Sequence, residues 1–182
     1  MELKQGHYYH LYNRSNGQEL IFRTSENYIY FLKNFRARFE VTLNTFAYCL
    51  MPTHFHFLVK INTSHISELK RQIGILLSAY SKAFNNSFER NGSLFQQHTK
   101  AKPIDDLTYL ITLLTYIHQN PIRANLVSKL EDWPFSSYPD LAGLRNGSLV
   151  DKTLIETHFN SKIEFRKFSE RTISKVKSKY WI

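Results

Sequence analysis

Two apolar runs meet across a two-residue break: L-N-T-F-A-Y-C-L-M from Leu43 to Met51, then Pro52 and Thr53, then H-F-H-F-L-V-K-I from His54 to Ile61. The runs are rich in residues that fill strands, and so short a break permits little besides a tight reversal. Leu43 to Met51 and Phe55 to Ile61 therefore read as an antiparallel pair. Successive side chains on a strand point to opposite faces, so Phe55, Phe57 and Val59 share one face while His54 and His56 project together from the other. The phenylalanine face must be buried under another layer. The histidine face carries two imidazoles in ligand-pair geometry.

The flanking sequence supplies that layer. H-Y-Y-H-L-Y-N, from His7, reads as a first strand closed by the polar turn R-S-N-G-Q. Ser25 is placed to cap a helix with Ile29, Leu32, Phe35 and Phe39 on one face. A long helix opening at Ser64 or Ser67 keeps a 3.6-residue rhythm through Leu69, Ile73, Leu76 and Tyr80 toward Phe84. G-S-L-F-Q-Q-H, from Gly92, is a candidate fourth strand. Asp105 or Asp106 opens a further helix through Leu110, Leu114 and Ile117 that should end before Pro121. The order is β-α-β-β-α-β with one more helix, which predicts an α+β fold: a central antiparallel sheet, helices on one face, and the histidine pair exposed toward the other. Residues 139–182 follow as an extension with a short helix near 151–159. Its final stretch, 162–182, carries seven Lys or Arg against two Glu, suited to a basic helix or arm or to a solvated terminus.

With 42% hydrophobic and 15% aromatic residues, the 182-residue chain can bury a substantial core. Its first residues lack the apolar stretch of a signal peptide, and no apolar run approaches the roughly 20 residues of a spanning helix, so a soluble, cytoplasmic protein without a membrane partner is expected. Cys49 is the only cysteine, which excludes an intrachain disulfide framework and a thiolate metal cluster. A formal net charge of +9 attracts polyanions, nucleic acid or anionic membrane alike.

His54 and His56 can chelate a divalent cation from one side, or they can be ordinary strand residues beneath a helix. Y-I-H-Q-N-P offers companions: Tyr116 and Asn120 are four apart and share a helical face, whereas His118 faces elsewhere. An Asn oxygen suits a magnesium or manganese site that also takes phosphate oxygen, and the phenol one turn away can reach the same phosphate. The plainer alternative makes Asn120 a helix end and Tyr116 a packing residue. Tyr80 offers a second phenol on a helix, but Phe84, four residues on, cannot bind metal.

L-M-P-T-H-F-H-F-L-V resembles the histidine-hydrophobic-histidine (HUH) signature of single-tyrosine transposases acting on single-stranded DNA. Y-H-L-Y-N-R-S-N-G-Q-E-L-I-F, L-L-S-A-Y-S-K-A-F-N, N-G-S-L-F-Q-Q-H, Y-I-H-Q-N-P-I-R-A-N-L-V and W-P-F-S-S-Y are similar, in order, to blocks of the REP-associated branch. The resemblance implies a ferredoxin-like sheet, a catalytic domain over residues 1–138, metal binding by His54, His56 and Asn120, and Tyr116 as nucleophile. Thr53 departs from the pattern, since relatives often carry Asn or Glu before the first histidine. The implied reaction is transesterification with Mg2+ or Mn2+, producing a 5'-phosphotyrosine and a free 3'-hydroxyl on hairpin-bearing single-stranded DNA.

Arg14, Lys70, Arg71, Lys82, Arg90, Lys100, Lys102 and Arg123 are candidate phosphate contacts, and Tyr8, Tyr9, Tyr12 and Phe95 candidate stacking residues. A replication initiator of the same chemistry, a catalytically idle hairpin-binding regulator and an RNA-binding ferredoxin-like domain are the alternatives. Monomer and helix-exchanged homodimer both remain open.

Overall fold

A computed structural model describes residues 2–171. Four strands, β1 (Tyr8–Arg14), β2 (Leu43–Met51), β3 (His54–Ile61) and β4 (Lys100–Ile104), form one sheet in the order β2-β3-β1-β4, every pairing antiparallel. Helix α1 (Ser25–Phe39) links β1 to β2, leaving a gap that β3 fills, and α2 (Ile66–Ser87) carries the chain to β4 on the far edge. This is the expected ferredoxin-like arrangement. Met51 pairs with His54, so Pro52 and Thr53 are the whole hairpin loop.

Helices α1 and α2 cover the phenylalanine face. Phe57 stacks on Phe35 with ring centroids 4.0 Å apart, and Phe55 packs on Phe31 at 5.2 Å. The cap of α1 is Thr24 rather than Ser25, its side chain and that of Asn27 closing a reciprocal capping box. The buried stripe accordingly begins at Tyr28 and Phe31, and Ile29 stays exposed. Tyr28 is drawn inward by Phe135, on which it stacks at 3.8 Å.

The sheet departs from expectation at its edge and on its histidine face. The segment from Gly92 to His98 is a loop, not the fourth strand: backbone bonds from Asn16 to the Leu94 carbonyl and from Gln96 to the Arg14 carbonyl clip it beyond the end of β1. Its ends turn at positive φ, +87° at Gly92 and +64° at His98, which breaks strand continuity. The ladder is made instead by K-A-K-P-I, whose Pro103 is tolerable on an edge strand. Second, the histidine face is not open. Helix α3 (Leu107–Arg123) lies across it, so helices flank both sides of the sheet.

Helix α3 is buried almost all round from Tyr109 to Asn120. Its outer side is covered by the C-terminal segment: a 3-10 turn at Leu130–Asp132, then α4 (Tyr138–Leu141), α5 (Thr153–His158) and α6 (Lys162–Ser169). Gln119 donates to the carbonyls of Ser169 and Arg171 at 2.7 Å, and Phe165 of α6 is fully buried. Backbone bonds from Leu50 to Phe135 and from Ser137 to Tyr48 lay residues 135–137 along the free edge of β2, which protects it from pairing with other chains. Buried Asp140 is forked by Arg145 at 2.7 Å, and Arg145 also reaches the Tyr48 hydroxyl. Most of the basic tail read in the sequence, residues 172–182, lies outside the described residues.

Phe57→Ala removes a fully buried ring from the α1 stack and should cost about 3–5 kcal/mol. Urea unfolding checks this, with the midpoint falling and the slope unchanged.

Candidate active site

The register of β1 on β3 sets Tyr12 opposite His56 and Arg14 opposite His54, so these four side chains share a face. The two imidazoles sit together there, ring centroids 4.9 Å apart. Each is engaged through Nδ1: that of His54 with the Thr53 hydroxyl at 3.0 Å, that of His56 with Nε2 of His10 at 2.9 Å. His56 Nε2 is buried without a hydrogen-bond partner. Thr53, the departure from the family pattern, thus still offers a hydroxyl to the first histidine.

Helix α3 carries Tyr116 and Asn120 to the same place. Pro121 stands inside this helix, which runs on to Arg123 instead of stopping before the proline. Lacking an N–H, Pro121 leaves the carbonyl of Ile117 without its helical donor. The Asn120 amide fills that vacancy, Nδ2 donating to the Ile117 carbonyl at 3.2 Å and to the Tyr116 carbonyl at 3.0 Å. Because carbonyl oxygens only accept, these bonds orient the amide with nitrogen toward the helix, leaving Oδ1 for other partners.

Tyr116, Asn120, His54 and His56 line one pocket of about 430 Å³, with Arg14, Ser15, Gly17, Gln18, Thr53 and Gln96 around it. All four sequence-derived site residues are therefore brought together within one chain. Among the described residues no Asp or Glu lines the pocket. Burial and then the Arg14 charge push His54 down to about 4. His56 is held well below the ordinary histidine value by burial, then by His10 and His54. Burial followed by Lys102 lowers His10 to about 3. The imidazoles are consequently neutral at physiological pH, as metal coordination requires. Tyr116 is raised by burial and opposed by Arg123, whose guanidinium lies 5.4 Å from its ring centroid.

Tyr80 is on the other side of the sheet. Its hydroxyl donates to the Ile21 carbonyl at 2.5 Å, and its ring packs among Phe22, Phe31 and Phe95.

The candidate phosphate contacts divide. Arg14 is exposed at the pocket, and Lys100 and Lys102 face the same side of the sheet through their pairing with Tyr12 and His10. Lys70, Lys82 and Arg90 line a separate groove of about 850 Å³ between α2 and residues 90–99. Arg90 is locked by Glu19 through two bonds of 2.6 Å, and Arg71 is paired with Glu68 at 2.7 Å, so neither presents an uncompensated charge. Of the stacking candidates, Tyr9, Tyr12 and Phe95 are buried. Gln96 lines both pocket and groove. Sequence reading missed Gln96 and His10; the only signal for His10 is its alternation with Tyr12 and Arg14, which acquires meaning once β1 is known to pair with β3.

Among the described residues no group of three His, Cys, Asp or Glu side chains is placed to hold a metal ion. The donors here are two imidazoles and an amide oxygen. The orphaned His56 nitrogen and the outward Asn120 oxygen fit a cation that shares its coordination with a ligand.

A family model described as "Transposase IS200 like" matches residues 4–120, from ahead of β1 through Asn120. This chain belongs to the IS200-like transposase family. Its match to that family takes in His54, His56, Tyr116 and Asn120. Across 129 residues, 64% of this chain and 73% of the relative, it is 27% identical to a Haemophilus influenzae protein provisionally named a REP-associated tyrosine transposase. Its fold is similar to a solved REP-associated tyrosine transposase bound to a REP hairpin, with a TM-score of 0.59 and 20% identity over 83% of this chain and 92% of the other. No helix among the described residues of this transposase-family chain is long and apolar enough to cross a membrane.

Neutral burial of these histidines links stability to pH. His118 is pushed to about 3 by burial, while His10 and His54 fall to about 3 and 4 from 6.5. The unfolded chain takes up protons first, so the stabilisation is complete above about pH 6.5 and is lost as pH falls through the folded values. Thermal unfolding between pH 8 and 4 should show a plateau, then a decline already under way between pH 6.5 and 5, above the carboxylate range. A level midpoint across that interval would contradict the assignment.

Proposed function

We propose that this chain nicks and rejoins single-stranded DNA beside hairpins, REP-type palindromes being the substrate class, through a 5'-phosphotyrosine on Tyr116. The observation that carries the reading is the convergence of Tyr116 and Asn120, one turn apart on α3, with the His54–His56 pair of β3 in one pocket. The phenolic oxygen attacks phosphorus, the bond to the 3'-oxygen breaks, and the phenol's proton leaves; the 3'-hydroxyl later reverses the exchange without a nucleotide cofactor. The raised phenol of Tyr116 needs help to lose that proton, and the Arg123 guanidinium acts in that direction. His54, His56 and Asn120 would hold Mg2+ or Mn2+, which when bound withdraws charge from non-bridging phosphate oxygens.

Arg14 at the pocket and Lys100 and Lys102 on the same face suit the backbone of the strand being cut. Lys70 and Lys82 line the groove that shares Gln96 with the pocket, which supports a continuous path for the rest of the DNA. The relative's name and the REP hairpin bound in the similar solved structure support the REP hairpin as substrate class. Residues 1–138 would then be the catalytic unit, with 139–182 packed beside it.

Purified protein with Mn2+ and hairpin-bearing oligonucleotides should give a covalent adduct on denaturing gels. Tyr116→Phe should abolish it while leaving DNA affinity within about twofold, because only the attacking oxygen is lost. His54→Ala or His56→Ala should slow adduct formation by roughly two orders of magnitude or more. Adduct peptides mapping to Tyr80, or metal-dependent hydrolysis by Tyr116→Phe with no adduct in either protein, would overturn the mechanism.

A further inference from the structure

His10 stands in the middle of β1, fully buried, between two tyrosines on the histidine face of the sheet. An apolar side chain would satisfy packing there, and an imidazole brings two polar nitrogens that must be accommodated. One of them, Nε2, meets His56 Nδ1 at 2.9 Å, the rings nearly parallel at 19° with centroids 5.1 Å apart. The other, His10 Nδ1, is buried without a partner, as is His56 Nε2 at the opposite end of the pair.

A single proton occupies the shared bond, so the two tautomers are coupled. If His10 donates, His56 carries its other hydrogen on Nε2 and has no lone pair for the pocket. If His56 donates from Nδ1, its Nε2 lone pair is free and the remaining proton of His10 sits on Nδ1. Each arrangement leaves one buried N–H without an acceptor, so neither is strongly preferred by the protein alone. A cation in the pocket accepts only the second.

We propose that His10 is a positioning residue whose Nε2 accepts the hydrogen bond donated by His56 Nδ1–H and thereby holds the His56 Nε2 lone pair toward the pocket for a divalent cation. The inference rests on the reading of His56 as a cation ligand. It goes beyond it by assigning a required tautomer to a residue outside the pocket lining. Ligating histidines commonly have the second nitrogen fixed in this way, and loss of the partner typically weakens metal affinity 10–100-fold. Carbonyls and carboxylates are the usual acceptors; here a second neutral imidazole on the neighbouring strand takes that role.

Three full-length proteins decide it: wild type, His10→Leu and His10→Gln, the last offering an amide oxygen where Nε2 stood. Mn2+ affinity is measured by electron paramagnetic resonance, and histidine tautomers by long-range 1H–15N NMR with saturating Mg2+. Wild type should show Nδ1–H on both His10 and His56. His10→Leu should fold but bind Mn2+ 10–100-fold more weakly, and His10→Gln should recover most of that loss with His56 still Nδ1–H. Unchanged Mn2+ affinity in folded His10→Leu, failure of His10→Gln to recover affinity, or an Nε2–H signal from His10 in the Mg2+-loaded wild type would overturn the assignment of His10 alone. No uptake of either cation by wild type would overturn the metal reading and this inference together.

Discussion

The pairing of β1 with β3 is the constraint on which the molecule depends. It places Leu11 across from Phe57 on one face and Tyr12 across from His56 on the other. The first face is dry and aromatic, and each ring it buries contributes about 1.5–3 kcal/mol. The second is polar yet buried. A one-residue slip would exchange the faces, setting imidazoles against α1 and phenylalanines in the pocket. The large aromatic layer under α1 and α2 therefore fixes the register, and the register fixes the site.

A backbone irregularity performs a second task. Pro121 removes a helical donor near the end of α3, and Asn120 turns its amide back to replace it. The side chain is thereby held in one orientation by the helix that bears it. The same helix is buried on all sides, so it requires cover from both the sheet and the C-terminal segment. Gln119, one residue from Asn120, is tied to the carbonyls of Ser169 and Arg171. Residues after 138 thus help to hold the helix carrying Tyr116 and Asn120 against the histidine face.

Charge around the pocket is one-sided. Its imidazoles are neutral, Arg14 stands at the pocket, Arg123 lies over the Tyr116 ring, and no carboxylate among the described residues lines it. Such an enclosure suits a phosphodiester, whose negative charge meets a cation and neutral polar groups instead of carboxylates that would repel it. Elsewhere the basic character is partly internal: Arg90 and Arg145 spend their charge on Glu19 and Asp140. Those two guanidiniums are engaged within the fold, while the net +9, from 24 Lys and Arg against 15 Asp and Glu, already counts their carboxylate partners.

The hairpin of β2 and β3, the separation of phenylalanines from histidines, and the shared phase of Tyr116 with Asn120 are legible in the residue order, because each follows from a local period of 2 or 3.6 residues. Local patterns also placed α1 and α2, missing the cap of α1 by a single residue where Thr24 and Ser25 are chemically alike. They misplaced the fourth strand because Leu94 and Phe95 are apolar for packing and pair only through a single bridge at Phe95, while K-A-K-P-I looks too polar for a sheet. That α3 covers the histidine face, that Tyr80 is sealed on the opposite side, and that His10 touches His56 across 46 positions of sequence emerge from the folded arrangement alone. These are non-local contacts, set by which strands become neighbours, and no periodicity within one segment encodes them.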